Sequence, residues 1–120
     1  MKTVNNKNTK KVIYDFFADP GHGWLKVTRT ELVRLKLIDK ISSHSYQKNG
    51  TVFLEEDCDL SLFYRAKKSI DSIEIKTRYH HTNKESRIRN YPYFTYDIID
   101  KSLNDLINYE FGVRKITYNY

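Results

Sequence analysis

Six consecutive residues, Asp19-Pro20-Gly21-His22-Gly23-Trp24, constrain the fold of this chain more than any other stretch. They hold two of its four glycines, one of its two prolines and its only tryptophan. A run that alternates in character, with Val12, Tyr14, Phe16 and Ala18 against Ile13, Asp15, Phe17 and Asp19, leads into them. Trp24-Leu25-Lys26-Val27 leads out. Strand, reversal and strand read as a β-hairpin. In that reading Gly21 and Gly23 supply the positive φ of a tight turn, and Trp24 closes the core beneath it.

The rest of the chain carries weaker signals of the same kind. Thr28 with Glu31 fits a capping box, and Leu32, Val33, Leu35 and Leu37 give the helix that follows an apolar side. Ile41 to Tyr46 reads as a serine-rich connection. Asn49-Gly50 is a hairpin signal, followed by a strand from Val52 to Glu55. Asp59 is placed to cap a second helix with Leu60, Phe63, Ala66 or Lys67, and Ile70 on one stripe. Ile73, Ile75, Thr77 and Tyr79 then alternate with Glu74, Lys76, Arg78 and His80, as in a strand with one charged face. Tyr91 to Ile98 suggests an edge strand, Ser102 with Asp105 a last helix, and Val113 to Tyr120 a short strand or ordered tail. The sum is an α+β fold: one small domain over residues 11–120, with an antiparallel sheet of four to six strands and two or three helices on one face. Residues 1–10, rich in Asn and Lys, read as a flexible basic arm.

Composition narrows the classes of function. At 120 residues with 14% aromatic side chains, one core and one domain are expected. No apolar run is long enough to span a membrane, and the N-terminus lacks the apolar segment of a signal peptide. A single cysteine, Cys58, makes no internal disulfide, which suits the cytoplasm of a bacterial host. The net charge of +6 favours an acidic partner. Lys76, Arg78, His80, Lys84, Arg87 and Arg89, with Tyr91 among the interleaved aromatics, form the strongest binding signal.

Catalytic signals are thinner. His22, framed by glycines, is the best single candidate for a general base; Asp57, Asp59 and His80 are the groups it could work with. Glu55-Glu56-Asp57 and Asp59 sit where a helix begins, so capping accounts for them before a cation does. His80 and His81 are neighbours on a strand and point to opposite faces. Cys58 reads as a small buried apolar residue. No metal and no cofactor are expected.

Asp19-Pro20-Gly21-His22-Gly23-Trp24-Leu25 together with Leu54-Glu55-Glu56-Asp57-Cys58-Asp59 resembles a group of small uncharacterised proteins carried by bacteriophages and plasmids. The resemblance covers roughly Phe16 to Arg89. It implies a mobile-element origin and, by association, action on host machinery such as a defence system. The expectation is therefore a non-enzymatic accessory protein that contacts a host protein complex through its basic strand and loop. The alternatives are direct DNA or RNA binding, and a small hydrolase or nuclease built on His22.

Overall fold

Pairing begins where the sequence places it. In the computed structural model, which describes residues 12–95, β1 (Ile13–Ala18) and β2 (Gly23–Thr28) form an antiparallel hairpin with Phe16 opposite Leu25 and Phe17 opposite Trp24. α1 (Arg29–Arg34) follows, then the hairpin β3 (Tyr46–Lys48) and β4 (Thr51–Glu55), then α2 (Leu60–Asp71) and β5 (Lys76–His81). A 3₁₀ turn spans Arg87–Asn90. The five strands form one sheet in the order β3-β4-β2-β1-β5. This is a small α+β domain with two helices among the described residues.

The sheet is mixed, where the sequence pattern suggested a purely antiparallel one. β5 lies parallel to β1, with Ile13 opposite Lys76 and Ala18 opposite His81. Antiparallel neighbours can be joined by a tight turn, but parallel strands need a crossover. Here α2 is part of it: the chain leaves β4 at the far side of β2 and re-enters the sheet beyond β1. Alternation along residues 73–80 looks the same for either strand direction, so this feature has no local signature.

The alternation along β2 divides the core between the two faces. Leu25 and Val27 join Val52, Leu54, Leu32, Val33, Ile38 and Phe63 on the face that both helices cover. Trp24 joins Phe53 and Ile88 on the other, with Phe17, Tyr46 and Tyr91 packed around them. The 3₁₀ turn covers this second face by inserting Ile88. None of the described residues belongs to a helix long and apolar enough to cross a membrane.

Local details follow from specific side chains. Thr28 Oγ1 accepts from the Glu31 N–H at 3.1 Å and starts α1, which is half of the expected capping box; the Glu31 carboxylate accepts instead from Tyr14 and Lys67. Asp59 stands at the N-cap of α2 but makes no cap bond. Its carboxylate turns instead to the serine-rich connection, accepting from the Ser42 N–H at 3.0 Å, Ser42 Oγ at 2.8 Å and Ser45 Oγ at 2.5 Å. Ser45 Oγ in turn accepts from the Glu55 N–H at 2.9 Å, which ties the connection to β4. This anchored segment runs directly into β3.

On α2 the buried stripe holds Phe63 and Lys67, while Ile70 is exposed. Lys67 is tolerated inside because its ammonium reaches Glu31 at 2.7 Å and Asp71 at 2.8 Å and lies 5.8 Å from the Tyr14 ring centroid. Burial pulls its pKa down, but the two carboxylates and Tyr14 more than offset that and hold it above the ordinary lysine range. Cys58 is exposed, contrary to the buried position expected for it.

The reversal before β2 also departs from expectation. Neither Gly21 nor Gly23 has positive φ. The turn is held by Asp19, whose Oδ1 accepts from the N–H groups of Gly21 and His22 at 3.0 Å each. The glycines are needed for close approach. A Cβ on Gly23 would enter the Phe16 ring, and one on Gly21 would come within 2.9 Å of Arg89 Nη2. Of the edge strand expected at Tyr91–Ile98, the described part shows one bridge, Tyr93 to Tyr46. Its remainder, the arm at 1–10, the helix at Ser102 and the final segment lie outside the described residues.

Candidate functional site: a cleft at the His22 turn

The two segments singled out in the sequence meet in space. Trp24 is paired with Glu55 across β2 and β4, so the turn before β2 and the chain leaving β4 lie side by side. They border a cleft of about 380 Å³ whose walls include His22, Trp24, Tyr46, Glu55, Asp57 and Arg89.

Glu55 is the buried charge at this site, at 5% exposure. Its Oε1 accepts from the N–H groups of Asp57 at 2.8 Å and Cys58 at 2.9 Å, and its Oε2 lies 2.9 Å from His22 Nδ1. Burial pushes the Glu55 carboxyl upward; the bonds from His22, Asp57 and Cys58 outweigh it and bring the pKa below the ordinary value. An ionised carboxylate only accepts, so His22 Nδ1 is the donor in this contact. The His22 side chain is about half exposed, 46%. Asp57 completes the group: one donor atom each from His22, Glu55 and Asp57 lie within 4.8 Å of one another.

Two neighbours are tuned the other way. Burial raises the Glu56 carboxyl, with the negative charges of Asp57 and Glu55 adding to it. Desolvation, together with the bond to Glu55 and the nearby carboxylates, raises the Cys58 thiol. Cys58 is thereby held as a thiol, a poor state for a nucleophile.

Of the four catalytic candidates, His22 and Asp57 come together here. Asp59 does not, being buried on the serines. His80 does not either: it stacks on Phe17 at 4.7 Å between centroids and contacts Asp15 at 2.8 Å. Glu55, which the sequence offered only as part of an acidic block, is the partner that reading missed. The signal was there: Thr51, Phe53 and Glu55 share one face of a strand, which sets the glutamate in line with an apolar position.

The basic set divides as well. Lys76, Arg78 and His80 share one face of β5, as expected, and all six residues of that strand are exposed. One carboxylate serves two of them: Asp15 Oδ1 is 2.7 Å from Arg78 Nε and 2.8 Å from His80 Nε2. Arg78, then His80, hold the Asp15 carboxyl well below its usual range. Lys76, Lys84 and Arg87 are exposed and make no ion pair among the described residues.

Arg89 turns inward. Its guanidinium grips Asp19 at 2.7 and 2.9 Å and lies 5.3 Å from the Trp24 ring centroid. Arg89 is chiefly responsible for holding the Asp19 carboxyl far below the carboxylate range, against burial and with help from the N–H groups of Ser86, His22 and Gly21. Arg89 is therefore a strut for the turn, not part of an open basic face. Tyr91 packs on Phe53 and under the Lys48 ammonium. No family model, curated protein or solved structure matches this chain.

Proposed function

We propose that this protein acts by contact, as a small accessory protein of mobile-element origin that covers an acidic surface on a host protein complex. One observation carries the reading: among the described residues β5 is an edge strand exposed at every residue, and none of its side chains belongs to either core cluster. A strand that contributes nothing buried yet displays Lys76, Arg78, Tyr79, His80 and His81 is available for a partner. Lys84 and Arg87 extend the same cationic character along the chain. The resemblance to phage and plasmid proteins makes inhibition of a host defence complex the role such a contact would serve.

The test is affinity capture of host proteins with the full chain and with Lys76→Ala/Lys84→Ala/Arg87→Ala. The variant should lose the partner while melting like the parent. A captured set unchanged by the triple substitution would overturn the reading. Retention on DNA that falls steeply with salt, with no protein partner, would transfer the same surface to nucleic acid.

A second reading rests on a different observation, the His22–Glu55 contact beside Asp57. A carboxylate that holds the Nδ1 side of an imidazole lining a cleft is an arrangement suited to general-base hydrolysis. Turnover of simple phosphodiesters or esters that disappears in His22→Ala would establish it. Absence of turnover across both substrate classes would end it.

A further inference from the structure

The cleft brings together one imidazole and two carboxylates from segments that the sequence keeps more than thirty residues apart: His22 from the turn, and Glu55 and Asp57 from the end of β4. We propose that these three side chains bind a divalent transition-metal ion of the zinc and cobalt class, leaving a coordination position open to the cleft.

The donor set fits this class. An imidazole nitrogen beside two carboxylate oxygens is a mixed set that first-row transition ions accept, whereas calcium and magnesium favour all-oxygen shells. Metal–ligand distances near about 2.1 Å in a tetrahedral site place donors roughly 3.4 Å apart. The three donors already lie within 4.8 Å of one another, and one pair, His22 Nδ1 and Glu55 Oε2, is at 2.9 Å. Closing the remaining gap takes a swing of His22 and Asp57, both exposed, onto Glu55. Glu55 itself is fixed by the N–H groups of Asp57 and Cys58. The ion replaces the proton in the His22–Glu55 contact, and the imidazole proton moves to Nε2.

Two further observations point to a ligand at this place. Trp24 is 1% exposed and lines the same cleft, and its indole N–H has no acceptor; it is the buried side-chain polar atom left without a partner among the described residues. Such donors are normally satisfied, and a water or anion on an ion's open position would supply the acceptor. The charge balance agrees. Glu55 and Asp57 stand together in the wall of the cleft, and Arg89, which also lines it, is already committed to Asp19. Asp59, the other carboxylate of this block, is held by Ser42 and Ser45 and takes no part.

The experiment uses the full untagged chain, stripped with a chelator and titrated at micromolar concentration with cobalt(II), followed by its visible absorption, and with zinc by calorimetry. The expected result is one ion per chain, with His22→Ala and Asp57→Asn each weakening binding by about tenfold or more. Glu56→Gln and His81→Ala should leave binding unchanged. His22 and Asp57 are exposed, so these variants can be confirmed as folded by their melting curves. Failure to take up either ion, or uptake that survives both substitutions, would overturn the proposal. It shares no residue with the β5 contact surface, so the two readings stand or fall separately.

Discussion

Replacing Asp19 by Asn tests whether one buried carboxylate organises the turn. The side chain is fully buried, with 0% side-chain exposure. Its Oδ1 receives the N–H groups of Gly21 and His22 and one Arg89 nitrogen; its Oδ2 receives the Ser86 N–H at 2.9 Å and Arg89 Nε at 2.7 Å. Asparagine keeps the shape but sets an NH₂ group against two donors on the Oδ2 side. Each orphaned buried donor costs about 1–3 kcal/mol, and the uncompensated Arg89 charge brings the expected total to about 3–5 kcal/mol. That is a large share of the roughly 5–15 kcal/mol that holds a domain together. Urea denaturation followed by Trp24 fluorescence should show the midpoint falling by about 2 M or more, for a slope near about 1.5 kcal/mol/M. The double variant Asp19→Asn/Arg89→Met should cost less than the sum of the singles, because the stranded charge is gone. The pH dependence has a definite sign. Asp19 is depressed in the folded state, so its stabilisation is present above the unfolded carboxylate pKa near about 3.9 and is lost as pH falls toward the folded value. The gap between parent and Asp19→Asn should therefore shrink between about pH 5 and pH 2. A single substitution costing under about 1 kcal/mol, or strictly additive singles, would refute the reasoning.

Other perturbations separate structural from exposed roles. Gly23→Ala should destabilise by about 1–3 kcal/mol because its Cβ meets the Phe16 ring, while Gly50→Ala, with open space and no positive φ, should stay within about 0.5 kcal/mol. Equal melting temperatures for the two would contradict the close-approach account. Trp24→Ala should cost about 3–5 kcal/mol in chemical denaturation. His22→Ala should stay folded, since Glu55 keeps two N–H partners; near-ultraviolet circular dichroism distinguishes these outcomes. Lys67→Ala should cost about 2–3 kcal/mol in a thermal melt by removing a buried side chain and one of the two cations that Glu31 and Asp71 share, the other being Arg34; Lys67→Met, which keeps the packing, should cost less.

Local grammar was readable from the residues, and long-range partnership was not. Thr28 with Glu31 announced a helix start, Asn49-Gly50 a hairpin, and the alternation around Phe16 and Leu25 a strand pair, because each depends on neighbours a few positions away. Asp59 shows the limit. Its position at the head of α2 was legible, but Ser42 and Ser45 compete for its carboxylate, and only the folded chain brings them near. The same holds for Arg89, which looked like one more surface cation until Asp19 was placed beside it. At the cleft, His22 stood out by its glycine frame. Glu55 was hidden inside an acidic run, and its two roles, holding the imidazole and collecting backbone N–H groups, come from the β2–β4 pairing. Lys67 was one of two alternatives for its position on the stripe, and Tyr14, Glu31 and Asp71 decide it.

The placement of β5 has a consequence for how the chain assembles. Among the described residues its one neighbour in the sheet is β1, far from it in the sequence, and its hydrogen bonds form after the largest chain closure in the sheet. Neither apolar cluster draws a side chain from β5, so β5 is a late hem that can open while the garment holds. Native-state amide exchange will free residues 76–81 first among the strands, and a partner's own strand could take the vacated margin of β1.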